Sequence, residues 1–228
     1  MKKVVMGLSG GMDSATLLGM LLDKGAEIQA CHFNYGSKQN AYEDDAVLKI
    51  IEYYRQKGFK IQYHHFLVAS IFSAFQSNLL QGGGEIPEGH YEADSMKLTV
   101  VPGRNLIFAS ILAGLAESVG AESIALGVHS GDHHIYPDCR DTFIVSLRET
   151  IKQSTDGKVN VIAPLIAEDK TSILRIGYAL QYPVPYYLTR TCYKDQLHSC
   201  GKCGSCQERL EAFNNIGKND PITYQKEV

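Results

Sequence analysis

Apolar positions along the chain alternate between short runs and stretches with helical period. Residues 4–8 form a short apolar run that ends in Ser-Gly-Gly, and 13–24 then repeat apolar residues at helical spacing until Gly25 closes the segment. The rhythm continues with a strand over 27–33, a helix over 41–56 ended by Gly58, and a strand over 60–66. After these come the most apolar helix, 105–119, a fourth strand at 123–128, a helix over 141–153, a fifth strand at 159–163 and a helix over 170–181. Such alternation predicts an α/β fold: a Rossmann-like, doubly wound parallel sheet with helices on both faces. Residues 81–95, with Gly82-Gly83-Gly84 and a lone Pro87, break the pattern and predict a mobile excursion, a candidate lid. From Pro183 onward the chain turns rich in Tyr, Pro, Cys and Gly. The expected division is a core domain over 1–182 and an appendage over 183–228, packed on the edge of the sheet.

Length and charge narrow the partners. A chain of 228 residues buries a core without needing a second subunit to fold. Its 22 basic and 25 acidic residues leave a net charge of −3 with no dense Lys/Arg run, which disfavours a direct nucleic-acid partner. Met1-Lys2-Lys3 leads into only a few apolar residues, and no apolar stretch is long enough for a bilayer, so the expectation is a cytoplasmic protein with no membrane partner.

The first chemical motif is Ser9-Gly10-Gly11-Met12-Asp13-Ser14, between the carboxyl end of the first strand and a helix N-terminus. Two glycines let backbone N–H groups approach an anion without a Cβ in the way, and the helix dipole and two hydroxyls add to the attraction. The loop carries neither the kinase P-loop nor the dehydrogenase Gly-x-Gly-x-x-Gly pattern. It resembles the pyrophosphate loop of the N-type ATP pyrophosphatases, the adenine nucleotide α-hydrolase type, which cleave ATP to AMP and pyrophosphate. That resemblance implies ATP contacts over Leu8, Ser9, Gly10, Gly11, Met12, Asp13, Ser14, Ala15, Thr16, Leu17 and Leu18.

Four of the six cysteines, Cys192, Cys200, Cys203 and Cys206, bunch in the tail. Four thiolates close a tetrahedral zinc shell and leave no position for a substrate water, so the expected role is structural zinc. An iron–sulfur site and a redox pair are the competing readings, and no ferredoxin-type spacing supports them. Cys31 and Cys139 read as ordinary core or loop thiols.

Three further segments, Val101-Pro102-Gly103-Arg104-Asn105, Tyr136-Pro137-Asp138-Cys139-Arg140 and Thr191-Cys192-Tyr193, follow the phosphate loop in an order that resembles the 7-cyano-7-deazaguanine synthase (QueC) family over nearly the whole chain. The resemblance implies an ATP-dependent carbon–nitrogen ligase and usually a homodimer. In that family 7-carboxy-7-deazaguanine is adenylated, ammonia displaces AMP to give an amide, and ATP activates the amide for dehydration to the nitrile. Such chemistry needs magnesium and cationic donors around the pyrophosphate leaving group. Asp13, Ser14, Arg104 and Lys170 are therefore the catalytic candidates. Arg140 is a further cation, and Asp132, His133 and Asp138 join it as the substrate-binding set, with Asp132 and Asp138 open to either magnesium or a guanine-like edge. The chain departs from the family pattern at Asp132-His133-His134-Ile135 and at Arg190. His129, His133 and His134 read as hydrogen-bonding or proton-transfer groups near the pocket. These departures open an alternative, a relative that stops at the amide or joins the activated deazaguanine to another amine such as a protein N-terminus.

Overall fold

In a computed structural model that describes residues 2–225, five strands form one parallel sheet. They are β1 (Lys3–Gly7), β2 (Glu27–Asn34), β3 (Ile61–Leu67), β4 (Ser123–Ala125) and β5 (Asn160–Ile162), ordered β3-β2-β1-β4-β5. Among the described residues seven α-helices accompany them: α1 (Met12–Asp23), α2 (Asn40–Arg55), the single turn α3 (Ala69–Phe72), α4 (Arg104–Val119), α5 (Asp141–Ser154), α6 (Lys170–Ala179) and α7 (Gly204–Asn215). The period-2 geometry of a strand explains the two cores. Val5 of β1 faces one that includes Leu112 of α4 and Leu147 of α5, whereas Val4 and Met6 face one built with Leu17 of α1, Ile50 of α2, Ile173 of α6 and Phe213 of α7. Helices therefore cover both faces, the doubly wound arrangement expected from the alternation. No helix among the described residues is long and apolar enough to cross a membrane.

Three features differ from the sequence expectation. β4 stops at Ala125, short of residue 128, and Gly127 then passes the start of α1, where a Cβ would stand 3.4 Å from the Ser14 backbone. The 81–95 excursion is held in place. Gln81 N–H donates to the Gly36 carbonyl at 3.0 Å, Gly89 N–H donates to the Lys202 carbonyl at 2.9 Å, and Ile86 is buried, so this segment ties the end of β2 to the cysteine region.

The tail beyond Pro183 does not hang on the sheet's edge. Arg190 N–H donates to the Gly10 carbonyl at 2.8 Å, which sets the tail against the central strand's loop, and α7 packs on α6. Arg209 of α7 fastens this arrangement. Its Nε and Nη2 fork onto the Asp220 carboxylate at 2.7 and 2.9 Å, and Nη1 reaches the Thr189 and Thr191 hydroxyls at 2.7 and 2.9 Å. Such planar, bidentate pairing suits a guanidinium with no water to turn to.

Candidate active site

The strand order reverses between β1 and β4, and the main cavity opens there, floored by Leu8, Phe33, Leu126 and Val128 at the carboxyl ends of β1, β2 and β4. The phosphate loop forms one wall. Gly10 adopts φ +80°, and a Cβ there would stand 3.0 Å from both the Glu43 carbonyl and the Ala46 methyl, so only glycine fits between this loop and α2. Ser9 and Ser14 brace the turn, Oγ to Oγ at 3.1 Å, and the Ser14 hydroxyl donates to the Gly11 carbonyl at 3.2 Å. No side chain caps the N-terminus of α1, which leaves its first-turn N–H groups facing the cavity for an anion.

A charged cluster stands beside this loop. Lys170 Nζ donates to Asp13 Oδ2 at 2.8 Å and lies 3.3 Å from Glu208 Oε2, which joins α1, α6 and α7 at one point. Burial alone would lower the lysine, but the carboxylates of Asp13, Glu208 and Asp132 hold it above the ordinary lysine value. Burial would likewise raise Asp13, yet Lys170 and His129 keep it below the ordinary aspartate value. His129 is fully buried; its Nδ1 accepts from Gly131 N–H at 3.1 Å, and its Nε2 lies 3.0 Å from Lys170 Nζ and 3.3 Å from Asp132 Oδ2. Asp13 Oδ1 is buried without a hydrogen-bond partner. A charged oxygen in that state is an acceptor waiting for a ligand.

Arg104, Tyr35 and Glu43 also line the cavity. Arg104 makes one hydrogen bond, a long 3.4 Å contact to Tyr35 Oη. Burial would lower it, but Tyr35 and Asp138 keep it firmly protonated. Burial pushes Glu43 up to about 7, against Gln39, Arg104 and Ser37, which favour its charged form.

The structure thus brings Asp13, Ser14, Arg104, Lys170 and Asp132 around one cavity, with Leu8, Ser9, Gly11 and Met12. Other predicted residues fall elsewhere. Ala15, Thr16, Leu17 and Leu18 pack into the sheet, with Thr16 Oγ1 donating to the Met12 carbonyl at 2.8 Å, because a helix that enters the core turns its next residues away from its own N-terminus. Asp138 caps α4, accepting from Asn105 N–H at 2.9 Å, where the helix dipole favours a carboxylate. Arg140 is exposed and donates to the His133 carbonyl at 2.9 Å, and neither residue lines the cavity. The three histidines do not converge: His129 is in the core, His133 and His134 on the turn beyond it. Arg190 borders the cavity but directs Nη1 and Nη2 to the carbonyls of Leu197, Lys194 and Gln196. Cys31 and Cys139 are buried thiols that border the cavity, and burial pushes Cys31 up to about 12. Sequence reasoning missed Tyr35, Glu43 and Glu208. Only the nearness of Glu208 to Cys206 hinted that a helix beginning in the knuckle would return to the site.

The sulfurs of Cys192, Cys200, Cys203 and Cys206 all lie within 4.8 Å of one another, and all four residues are buried. Backbone N–H groups point at them, Cys200 N–H to Cys192 Sγ at 3.3 Å and Cys203 N–H to Cys200 Sγ at 3.2 Å, as a set of thiolates around a metal ion requires.

A five-stranded parallel sheet in this order, with a Ser-Gly-Gly loop at its switch point opposed by a buried lysine–carboxylate cluster, defines a doubly wound, Rossmann-like α/β protein with an anion-binding loop. NMN synthetase from Francisella tularensis shares the fold, with a TM-score of 0.54 at 16% identity over 95% of this chain and 77% of that one. The particular family follows from sequence. The chain belongs to the QueC family, whose model, "Queuosine biosynthesis protein QueC", matches residues 3–217. It is 41% identical over 226 residues to the 7-cyano-7-deazaguanine synthase of Marinomonas sp., covering 98% of this chain and 99% of that one. It is 42% identical over 221 residues to that of Porphyromonas gingivalis, covering 96% and 95%.

Proposed function

We propose that the chain converts 7-carboxy-7-deazaguanine and ammonia to 7-cyano-7-deazaguanine, with ATP cleaved to AMP and pyrophosphate at each activation. One observation supports this above the rest: the buried Asp13–Lys170 pair at the N-terminus of α1 shares a cavity with Arg104, whose donors are mostly unused. In this reading the substrate carboxylate attacks the α-phosphorus of ATP, the bond to the β-phosphate oxygen breaks, and pyrophosphate leaves against the α1 amides, Lys170 and Arg104. Ammonia then adds to the acyl adenylate and expels AMP, giving the amide. Attack requires the neutral amine, and Glu43, titrating near neutrality, is the cavity carboxylate suited to take a proton from ammonium. Adenylation of the amide oxygen by a second ATP releases pyrophosphate, and loss of AMP and of both protons from the nitrogen then forms the nitrile.

Asp13 Oδ1 and Asp132 are the carboxylates that would hold magnesium, which would offset phosphate charge. The four-cysteine cluster suits zinc in a structural role, since all four ligands come from protein.

The test is mass spectrometry of the full-length protein's products from ATP, magnesium, ammonium and the carboxylate. The amide mass should rise first and the nitrile mass replace it. Persistent amide, or a conjugate with an added amine, would establish the alternative in which the acceptor or end point differs. Failure of the carboxylate to stimulate AMP formation in folded protein would overturn the substrate assignment altogether.

A further inference from the structure

Apart from the cysteine cluster, one group of metal-ligating side chains converges among the described residues. His32 on β2, Asp44 on α2 and His65 on β3 place one ligand atom each within 4.8 Å of the others. The strand register makes His32 and His65 neighbours on one sheet face, with ring centroids 5.6 Å apart. His32 is 2% exposed, and its Nδ1 lies 2.9 Å from the Leu8 carbonyl. A carbonyl oxygen has no proton to give, so Nδ1 carries the ring hydrogen and Nε2 keeps its lone pair. That lone pair stands 2.7 Å from Asp44 Oδ1, and both atoms are buried with no hydrogen-bond partner.

Two acceptors pressed together repel unless a proton or a cation stands between them. The single proton of the neutral ring is held on Nδ1 by the Leu8 carbonyl, so a cation can take the place between Nε2 and Asp44 Oδ1. His65 Nε2 approaches the same carboxylate oxygen at 3.4 Å, and the Asp44 and His65 side chains keep 29% and 36% exposure, an entry route from solvent.

We infer that His32, Asp44 and His65 form a second metal site for a borderline divalent cation such as zinc, with the remaining position left to water. The donor set of two imidazoles and one carboxylate suits that class of ion. A neutral imidazole whose other nitrogen donates to a backbone carbonyl is the arrangement that fixes a histidine ligand. The ion would tie the first turns of α2 to β2 and β3. It would also steady the phosphate loop from behind, because His32 holds the Leu8 carbonyl and the Glu43 carbonyl abuts Gly10.

The experiment is metal analysis of the tag-free full chain, equilibrated with zinc chloride and desalted, beside His65→Ala and Asp44→Asn. Wild type should retain about one zinc per chain more than either variant, the cysteine site serving as the constant background. Cobalt(II) added to wild type that carries zinc in the cysteine site alone should give weak visible bands of a nitrogen–oxygen site without thiolate charge transfer, and His65→Ala should lose them. Equal zinc in all three folded chains, with no cobalt spectrum in wild type, would overturn the site and leave a protonated His32 paired with Asp44. If His65→Ala folds poorly, the same comparison with Asp44→Asn, which keeps side-chain shape, decides the question.

Discussion

The cavity wall and the base of the cysteine cluster each hold an arginine, half-buried Arg104 and fully buried Arg209, and the protein treats the two in opposite ways. Arg209 is 0% exposed and has its donors matched by Asp220, Thr189, Thr191 and the Tyr186 carbonyl. Arg104 makes a single long hydrogen bond while lining the cavity. A guanidinium whose donors are all matched holds elements together, and one with donors left over is ready for an anion. The carboxylates divide in the same way. Asp220 accepts from Arg209 at both oxygens, whereas Asp13 satisfies one oxygen with Lys170 and leaves the other, buried, without a partner. Charge alone would not separate the scaffold from the site; the count of unmatched donors and acceptors does.

Replacing Arg209 by Met is the strongest way to test the scaffold half of this contrast. It leaves the Asp220 carboxylate with the Tyr224 hydroxyl and Ile222 N–H but no counter-charge, and breaking a buried pair costs about 3–5 kcal/mol. The thermal midpoint should fall by roughly 6–20 °C, on a scale of about 2–4 °C per kcal/mol for a chain of this size. Pyrophosphate release per folded molecule, measured in the cold, should stay near wild type. Arg104→Met should do the reverse. Pyrophosphate release should drop about 10²–10³-fold, as when one preorganised charge-stabilising donor is removed, while the midpoint moves little. If both variants lose stability and activity together, the distinction between matched and unmatched arginines fails.

Glu208 sharpens the comparison because it belongs to both regions, standing on the knuckle's helix α7 and reaching Lys170 at 3.3 Å. Glu208→Gln should slow pyrophosphate release by about tenfold, some 1.4 kcal/mol of barrier, without changing the metal content of the cysteine cluster. Loss of the metal would instead mean that Glu208 serves the knuckle.

The smallest expected effect is a pH dependence. Asp13 is depressed and Lys170 raised, so their pairing contributes stability that is complete between the ordinary aspartate and lysine values. That contribution fades as acid passes through the folded Asp13 value or base through the folded Lys170 value. Glu43 has the opposite sign. With its folded value raised to about 7, the native chain keeps a proton that the unfolded chain has released, so stability declines as pH climbs from the ordinary glutamate range through 7. Glu43→Gln should remove that decline, and midpoints of the two proteins measured at pH 5 and pH 8 should diverge by a few degrees. Parallel curves would show that Glu43 is an ordinary carboxylate.

Chain order and local periodicity dictate a good deal of this protein. The alternation of short apolar runs with helical-period stretches is enough to specify a parallel doubly wound sheet, since each strand's two faces and each helix's one stripe can be buried in few other ways. The Ser9–Ser14 loop and the bunched cysteines were legible because their chemistry depends on residues close together along the chain. What periodicity could not reveal is convergence over distance. Lys170 and Asp13 meet across 157 positions, and Glu208 arrives through a helix that a Gly- and Cys-rich start disguised as loop. Asp138 and Arg140 sit in a motif as suggestive as Arg104's, yet one caps α4 and the other faces solvent. Each strand's carboxyl end is placed by hydrogen bonds to its neighbours and each helix by the face it buries. Which side chains share the cavity is therefore settled only when the layers have packed, and no local pattern of residues carries that information.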